Sequence, residues 1–116
     1  MAEVYMALNE KYLRDADRLL ADGDYVQASE KYWGAMAEIV KAIAALRGWK
    51  HFSHRELREA VSLLREETGD ADVIRLFSIG ESLHANFYEN FMKPDDVKIY
   101  AEDAHSFVDK LQPLAA

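Results

Sequence analysis

Apolar residues recur at spacings of three and four along nearly the whole chain, which is the pattern of amphipathic helices. In the first segment, residues 2–21, the predicted stripe consists of Tyr5, Leu8, Tyr12, Ala16 and Leu19. The second segment, residues 25–47, is apolar over so much of its circumference that we expect it to be buried on at least two sides. Its main stripe consists of Tyr25, Ala28, Tyr32, Ala35 or Met36, Ile39, Ile43 and Leu46.

Three shorter helices are predicted downstream. The first runs from Ser53 to about Thr68, and Ser53 with Glu56 has the form of a capping box at its start. The next covers roughly residues 71–92, with an inward face of Val73, Phe77, Gly80, His84, Phe87 and Phe91. The last begins at Pro94, with a stripe of Val97, Tyr100, Ala101, Ala104, Phe107, Val108 and Leu111. The glycines at 23, 48 and 69 fit helix ends.

No segment has the alternating pattern of a strand, so we predict an all-α fold, an up-and-down antiparallel bundle of about five helices. A length of 116 residues suits a single domain, residues 1–116. The absence of cysteine excludes disulfides, thiolate metal sites and a cysteine nucleophile. Glu3 and Asn9 interrupt any apolar leader, so we expect a cytoplasmic protein without a membrane span. No cofactor is expected.

Charge singles out one stretch, residues 47–58, called the basic segment below. It carries four basic residues and two histidines against one acid, Glu56, in a chain of formal charge −7. We interpret it as a corner between two helices where positive charge collects. The candidate nucleotide or anion site comprises Arg47, Lys50, His51, Ser53, His54, Arg55 and Arg58, and Trp49 or Phe52 would stack on a base. His51 and His54 lack a third ligand at suitable spacing, so no metal site is predicted.

The run YVQASEKYWGAMAEIVKAIAALRGWKHFSHREL, followed by Leu83-x-x-x-Phe87-Tyr88 and a closing helix from Asp95, resembles the archaeal PaREP proteins of the HEPN superfamily. The resemblance implies a helical bundle, usually a homodimer, that binds nucleotides or RNA. It also implies a role in a toxin–antitoxin system beside a nucleotidyltransferase-type partner. Nuclease members carry an Arg shortly before a His in the C-terminal half. Residues 82–90 here have no such Arg, and the one formal match is Arg47 with His54.

Two alternatives stay open at the level of sequence. The fourth helix is apolar on more than one face, which favours a non-catalytic interaction module, a dimeric adaptor or an antitoxin-like partner. A metal-independent ribonuclease would use Arg47 and His54 as its catalytic candidates. The simplest interpretation of the basic segment is structural: Ser53 and Glu56 cap a helix, Trp49 and Phe52 anchor the corner, and the arginines are solvated. His84, on an apolar face, is then a hydrogen-bonded core histidine.

Overall fold

A computed structural model describes all 116 residues, and it contains helices and no strand. The helices are α1 (Ala2–Ala21), α2 (Tyr25–Arg47), α3 (His54–Thr68), α4 (Asp72–Glu89) and α5 (Pro94–Leu111), followed by a 3-10 turn at Gln112–Ala115. The prediction of an all-α bundle of five helices is confirmed. No helix combines the length and the apolar character that crossing a membrane requires.

Helix α2 is the centre of the bundle. It contacts each of the other four helices, and 13 of its 23 residues are buried, which confirms that it is covered on more than one side. Its pairing with α1 starts at a tight turn in which Gly23 takes a left-handed conformation with φ of +80°. Asp24 then caps α2 by accepting a hydrogen bond from the Gln27 amide at 3.3 Å.

The connection between α2 and α3 differs from the corner predicted above. The first residue of α3, His54, stacks on Trp33 in the middle of α2. Near its other end, Glu67 pairs with Arg47 at the C-terminus of α2. Trp33 and Arg47 are roughly 20 Å apart along the helix axis. Helix α3 therefore follows the direction of α2, and residues 48–53 run back along the bundle instead of forming a corner.

Two predicted core positions are wrong, and four buried polar or charged residues were not predicted: Asn9, Ser29, Glu38 and Asn86. Leu46 and Phe91 are 51% and 56% exposed, because Leu46 sits in the last turn of α2 and Phe91 lies beyond the end of α4. Asn9 is buried and donates to the Ala35 carbonyl at 2.7 Å. Asn86 is buried too, and its side-chain oxygen accepts from the Phe91 and Met92 amides at 2.9 and 2.8 Å, which closes the end of α4.

Candidate functional site

Arg47, the first residue of the basic segment, forms an ion pair with Glu67 of α3. Its Nε and Nη2 donate to the two carboxylate oxygens of Glu67 at 2.7 and 2.6 Å, and Nη1 donates to the Leu114 carbonyl at 3.3 Å. The hydrogen bond from Arg47 lowers the pKa of Glu67, and Glu67 raises the pKa of Arg47. A two-point contact of this kind orients the guanidinium. Arg47 therefore joins α2, α3 and the C-terminal turn.

The other arginines of the segment also contact carboxylates, whereas Lys50 does not. Arg58 donates to Glu81 Oε1 on α4, which fixes it against the bundle. Arg55 donates to Glu59 at 3.2 Å, but these two side chains are 87% and 60% exposed. An exposed pair of this kind contributes little to stability and exchanges readily with water. Lys50 and Arg55 are therefore the basic side chains of this segment that remain accessible to a ligand.

The N-terminus of α3 already holds a negative charge of its own. The Glu56 carboxylate accepts from the Phe52 and Ser53 amides at 2.9 and 3.1 Å, and Ser53 Oγ accepts from the Glu56 amide at 3.1 Å. The predicted capping box is thus confirmed. The backbone hydrogen bonds from Phe52 and Ser53 lower the pKa of Glu56. A phosphate at this helix end would have to displace that carboxylate.

Phe52, just before the N-terminus of α3, is an exposed aromatic side chain. The Phe52 ring is 84% exposed and lies 4.5 Å, centroid to centroid, from the His51 ring. His51 Nδ1 donates to the Trp49 carbonyl at 2.8 Å, and Nε2 lies 3.1 Å from the Tyr5 hydroxyl oxygen. These two hydrogen bonds orient the His51 ring. Trp49 packs against the core, so it anchors the segment as the structural interpretation predicted, while Phe52 does not.

A second group of side chains lies where the first residue of α3 meets α2 and α4, and sequence reasoning missed most of it. The Trp33 cluster comprises Trp33, His54, His84 and the acids that bind the two histidines, Glu81 and Glu30. His54 stacks on Trp33 at 5.4 Å and donates to Glu81 at 2.6 Å. His84 lies 5.3 Å from the Trp33 ring and donates to Glu30 at 2.7 Å.

The one signal available in the sequence was spacing: Glu30 with Trp33 on α2, and Glu81 with His84 on α4, are each three residues apart and share a helix face. The predicted interpretation of His84 as a hydrogen-bonded core residue is close, although its side chain is one-third exposed and its partner is a carboxylate. Arg47 binds Glu67 near the C-terminal end of α3, whereas His54 is the first residue of that helix. A single chain therefore does not bring this predicted catalytic pair together.

The sequence matches the archaeal PaREP1/PaREP8 family over residues 4–108. The protein belongs to this family. The structure of this PaREP1/PaREP8 protein is similar to the crystal structure of a protein from Sulfolobus solfataricus, with a TM-score of 0.83 and 26% sequence identity. The similarity covers 94% of this chain and 97% of the Sulfolobus chain, so the two share the whole fold. No curated protein matches the sequence.

Proposed function

We propose that this PaREP1/PaREP8 protein binds a nucleotide or single-stranded RNA at Lys50–Arg55, with Phe52 as the side chain that stacks on a base. The exposure of the Phe52 ring carries the proposal. A large apolar ring left in water beside Lys50 contributes nothing to the core, whereas stacking on a base contributes about 1–3 kcal/mol. The HEPN resemblance of the sequence supports the same ligand class.

The accessible charges support a narrower site than the seven residues predicted. Lys50 has no carboxylate partner, and Arg55 has one that is weakly held, so either side chain is free to contact a phosphate. Arg47 and Arg58 are engaged with Glu67 and Glu81 and are assigned a structural role. The proposal includes binding without catalysis, because the predicted catalytic pair, Arg47 and His54, is not brought together in the chain.

A titration followed by amide chemical shifts in NMR tests this proposal. ATP and a short single-stranded RNA are added at low and at moderate salt, since phosphate contacts weaken as salt rises. We expect shifts on Lys50–Arg55 and a loss of at least about fivefold in affinity for Phe52→Ala, from the loss of one stacking contact. Phe91→Ala is the matched control, since it also removes an exposed phenylalanine. Equal affinities for the two variants would rule out Phe52 as the stacking residue.

Protein–protein interaction is the second candidate, and a specific observation favours it. Met1, 72% exposed, lines the same shallow depression as Phe52, and Leu46 lines a neighbouring one. Exposed apolar residues gathered at one place are typical of interfaces, including that of a homodimer. Sedimentation velocity separates the two candidates. A dimer that Phe52→Ala dissociates, together with the absence of RNA-induced shifts, would favour the interaction module over nucleotide or RNA binding.

The same sequence resemblance extends the proposal to a toxin–antitoxin or nucleotidyltransferase-associated role. Such a partner would be identified by co-purification from the native organism.

A further inference from the structure

A cleft of about 300 Å³ opens between α1, α2 and α4, and none of its lining residues belongs to the basic segment. Three aromatic residues from three helices line it: Tyr12, Trp33 and Phe87. Gly34 lets the Tyr12 ring lie directly on α2, since a Cβ there would come within 3.1 Å of that ring. The volume is at the lower end of the range for ligand pockets, which suits a small molecule.

One negative group faces this cleft and is oriented by a neighbour. Glu30 lines the cleft and its Oε1 accepts from His84 Nδ1 at 2.7 Å. His84 is itself held against the rings of Trp33 and Tyr88, at 5.3 Å from each. The Glu30 carboxylate is therefore positioned by the protein, and its second oxygen is left for a ligand donor.

One positive group lies beside it, on the next residue of α2. Lys31 lines the cleft, and its Nζ lies 4.9 Å from the centre of the Tyr12 ring. It does not pair with the acid of the facing helix, because Asp15 already binds Lys11 and Arg18. The ammonium group of Lys31 is therefore available to an anionic group at the edge of the cleft.

We propose that this cleft binds a free α-amino acid with an apolar side chain. The ligand's ammonium group would bind Glu30, and its carboxylate would bind Lys31. The apolar side chain would lie among Tyr12, Trp33 and Phe87. A carboxylate and an ammonium on adjacent residues match a zwitterion. A nucleic-acid strand, with its repeated phosphates, fits such a pair poorly.

The test is a titration with L-leucine, followed by the indole N–H signals in NMR. The chain has two tryptophans, and Trp33 lines the cleft while Trp49 does not. We expect leucine to move the Trp33 signal in a saturable way and to leave the Trp49 signal in place. Two half-ligands complete the test: 3-methylbutylamine lacks the carboxylate and 4-methylpentanoate lacks the amine. Each should bind at least about tenfold more weakly, as one charged hydrogen bond is lost.

Variants with matched controls test whether Glu30 and Lys31 bind the two charged groups of leucine. Glu30→Gln keeps the side-chain shape and an oxygen for His84, and Lys31→Met keeps the apolar stem. Each should weaken leucine binding at least about tenfold, while Glu89→Gln and Lys98→Met, outside the cleft, should not. An unmoved Trp33 signal at millimolar leucine, or half-ligands that bind as well as leucine, would overturn the proposal.

The outcome is independent of the proposed nucleotide or RNA binding. Phe52→Ala should leave leucine binding unchanged, because Phe52 does not line this cleft. Leucine-induced shifts that disappear in Phe52→Ala would overturn the assignment of the ligand to the cleft.

Discussion

The two ends of α3 are attached to the bundle by different kinds of contact. At the C-terminal end the contacts are ionic: Arg47 binds Glu67, and just past the helix Lys110 donates to Asp70 at 2.9 Å. At the N-terminal end an aromatic contact is added to the polar ones: His54 lies on the Trp33 ring, and His54 and Arg58 both donate to Glu81 of α4. One basic residue of the basic segment, Arg47, therefore attaches α3 to α2. The basic side chains on either side of Phe52, Lys50 and Arg55, are exposed.

The largest loss of stability is expected from a substitution at Trp33, where several aromatic contacts meet. Trp33→Ala removes a ring that is only 8% exposed and that contacts His54, Phe77 and His84. We expect a loss of about 3 kcal/mol in the free energy of unfolding, from lost burial and the cavity left behind. Urea unfolding followed by far-UV circular dichroism measures it. Phe52→Ala, which removes an exposed ring, should change stability by less than about 0.5 kcal/mol.

A smaller effect is expected at the ionic end, and the chain offers its own control. Arg47→Met breaks the two-point contact with Glu67 and the hydrogen bond to Leu114, so we expect a loss of about 1 kcal/mol in the free energy of unfolding. Arg55→Met breaks an exposed pair and should change stability by only a few tenths of a kcal/mol. Similar losses in the two variants would show that Arg47 does not fasten α3.

The smallest effect is a difference in acid sensitivity between the two arginine variants. The folded-state pKa values of Glu67 and Asp70 are lowered, chiefly by hydrogen bonds from Arg47 and Lys110. Their stabilising contribution is therefore complete above the ordinary carboxyl pKa range and is lost as the pH falls through the lowered values. Melting temperatures measured between about pH 6 and pH 3 should fall less steeply in Arg47→Met than in Arg55→Met. Parallel curves would contradict this assignment.

Much of the fold follows from local sequence. Helix periodicity placed all five helices, and the turn at Gly23, the left-handed Gly48 and Gly69 and the Ser53–Glu56 capping box mark their ends as predicted. The errors fall where periodicity carries no information. Phe91 continues the stripe of α4 in sequence, but Asn90 turns to a φ of +48° and ends the helix first. Asn9 is polar yet buried because its side chain donates to a carbonyl of α2. The sequence around Asn9 does not show that this carbonyl is near.

The candidate site was less predictable, because its charges depend on distant partners. Arg47 contacts residues 20 and 67 positions away, and His54 contacts an acid 27 positions away. A single sequence does not reveal such pairings, so an apparent excess of positive charge proved to be partly compensated. The interpretation of the basic segment as a corner between two helices was wrong for a related reason. Six residues are enough either to turn or to run back along a helix, and tertiary packing decides between them.

The adjacency of α1 and α2 has a kinetic consequence. Their pairing joins residues close in sequence across a three-residue connection, so it closes a short loop and is suited to forming early during folding. Both ends of α3 rest on α2, through His54 on Trp33 and Glu67 on Arg47. We therefore expect substitutions within the α1–α2 hairpin to slow folding, and substitutions at the ends of α3 mainly to accelerate unfolding.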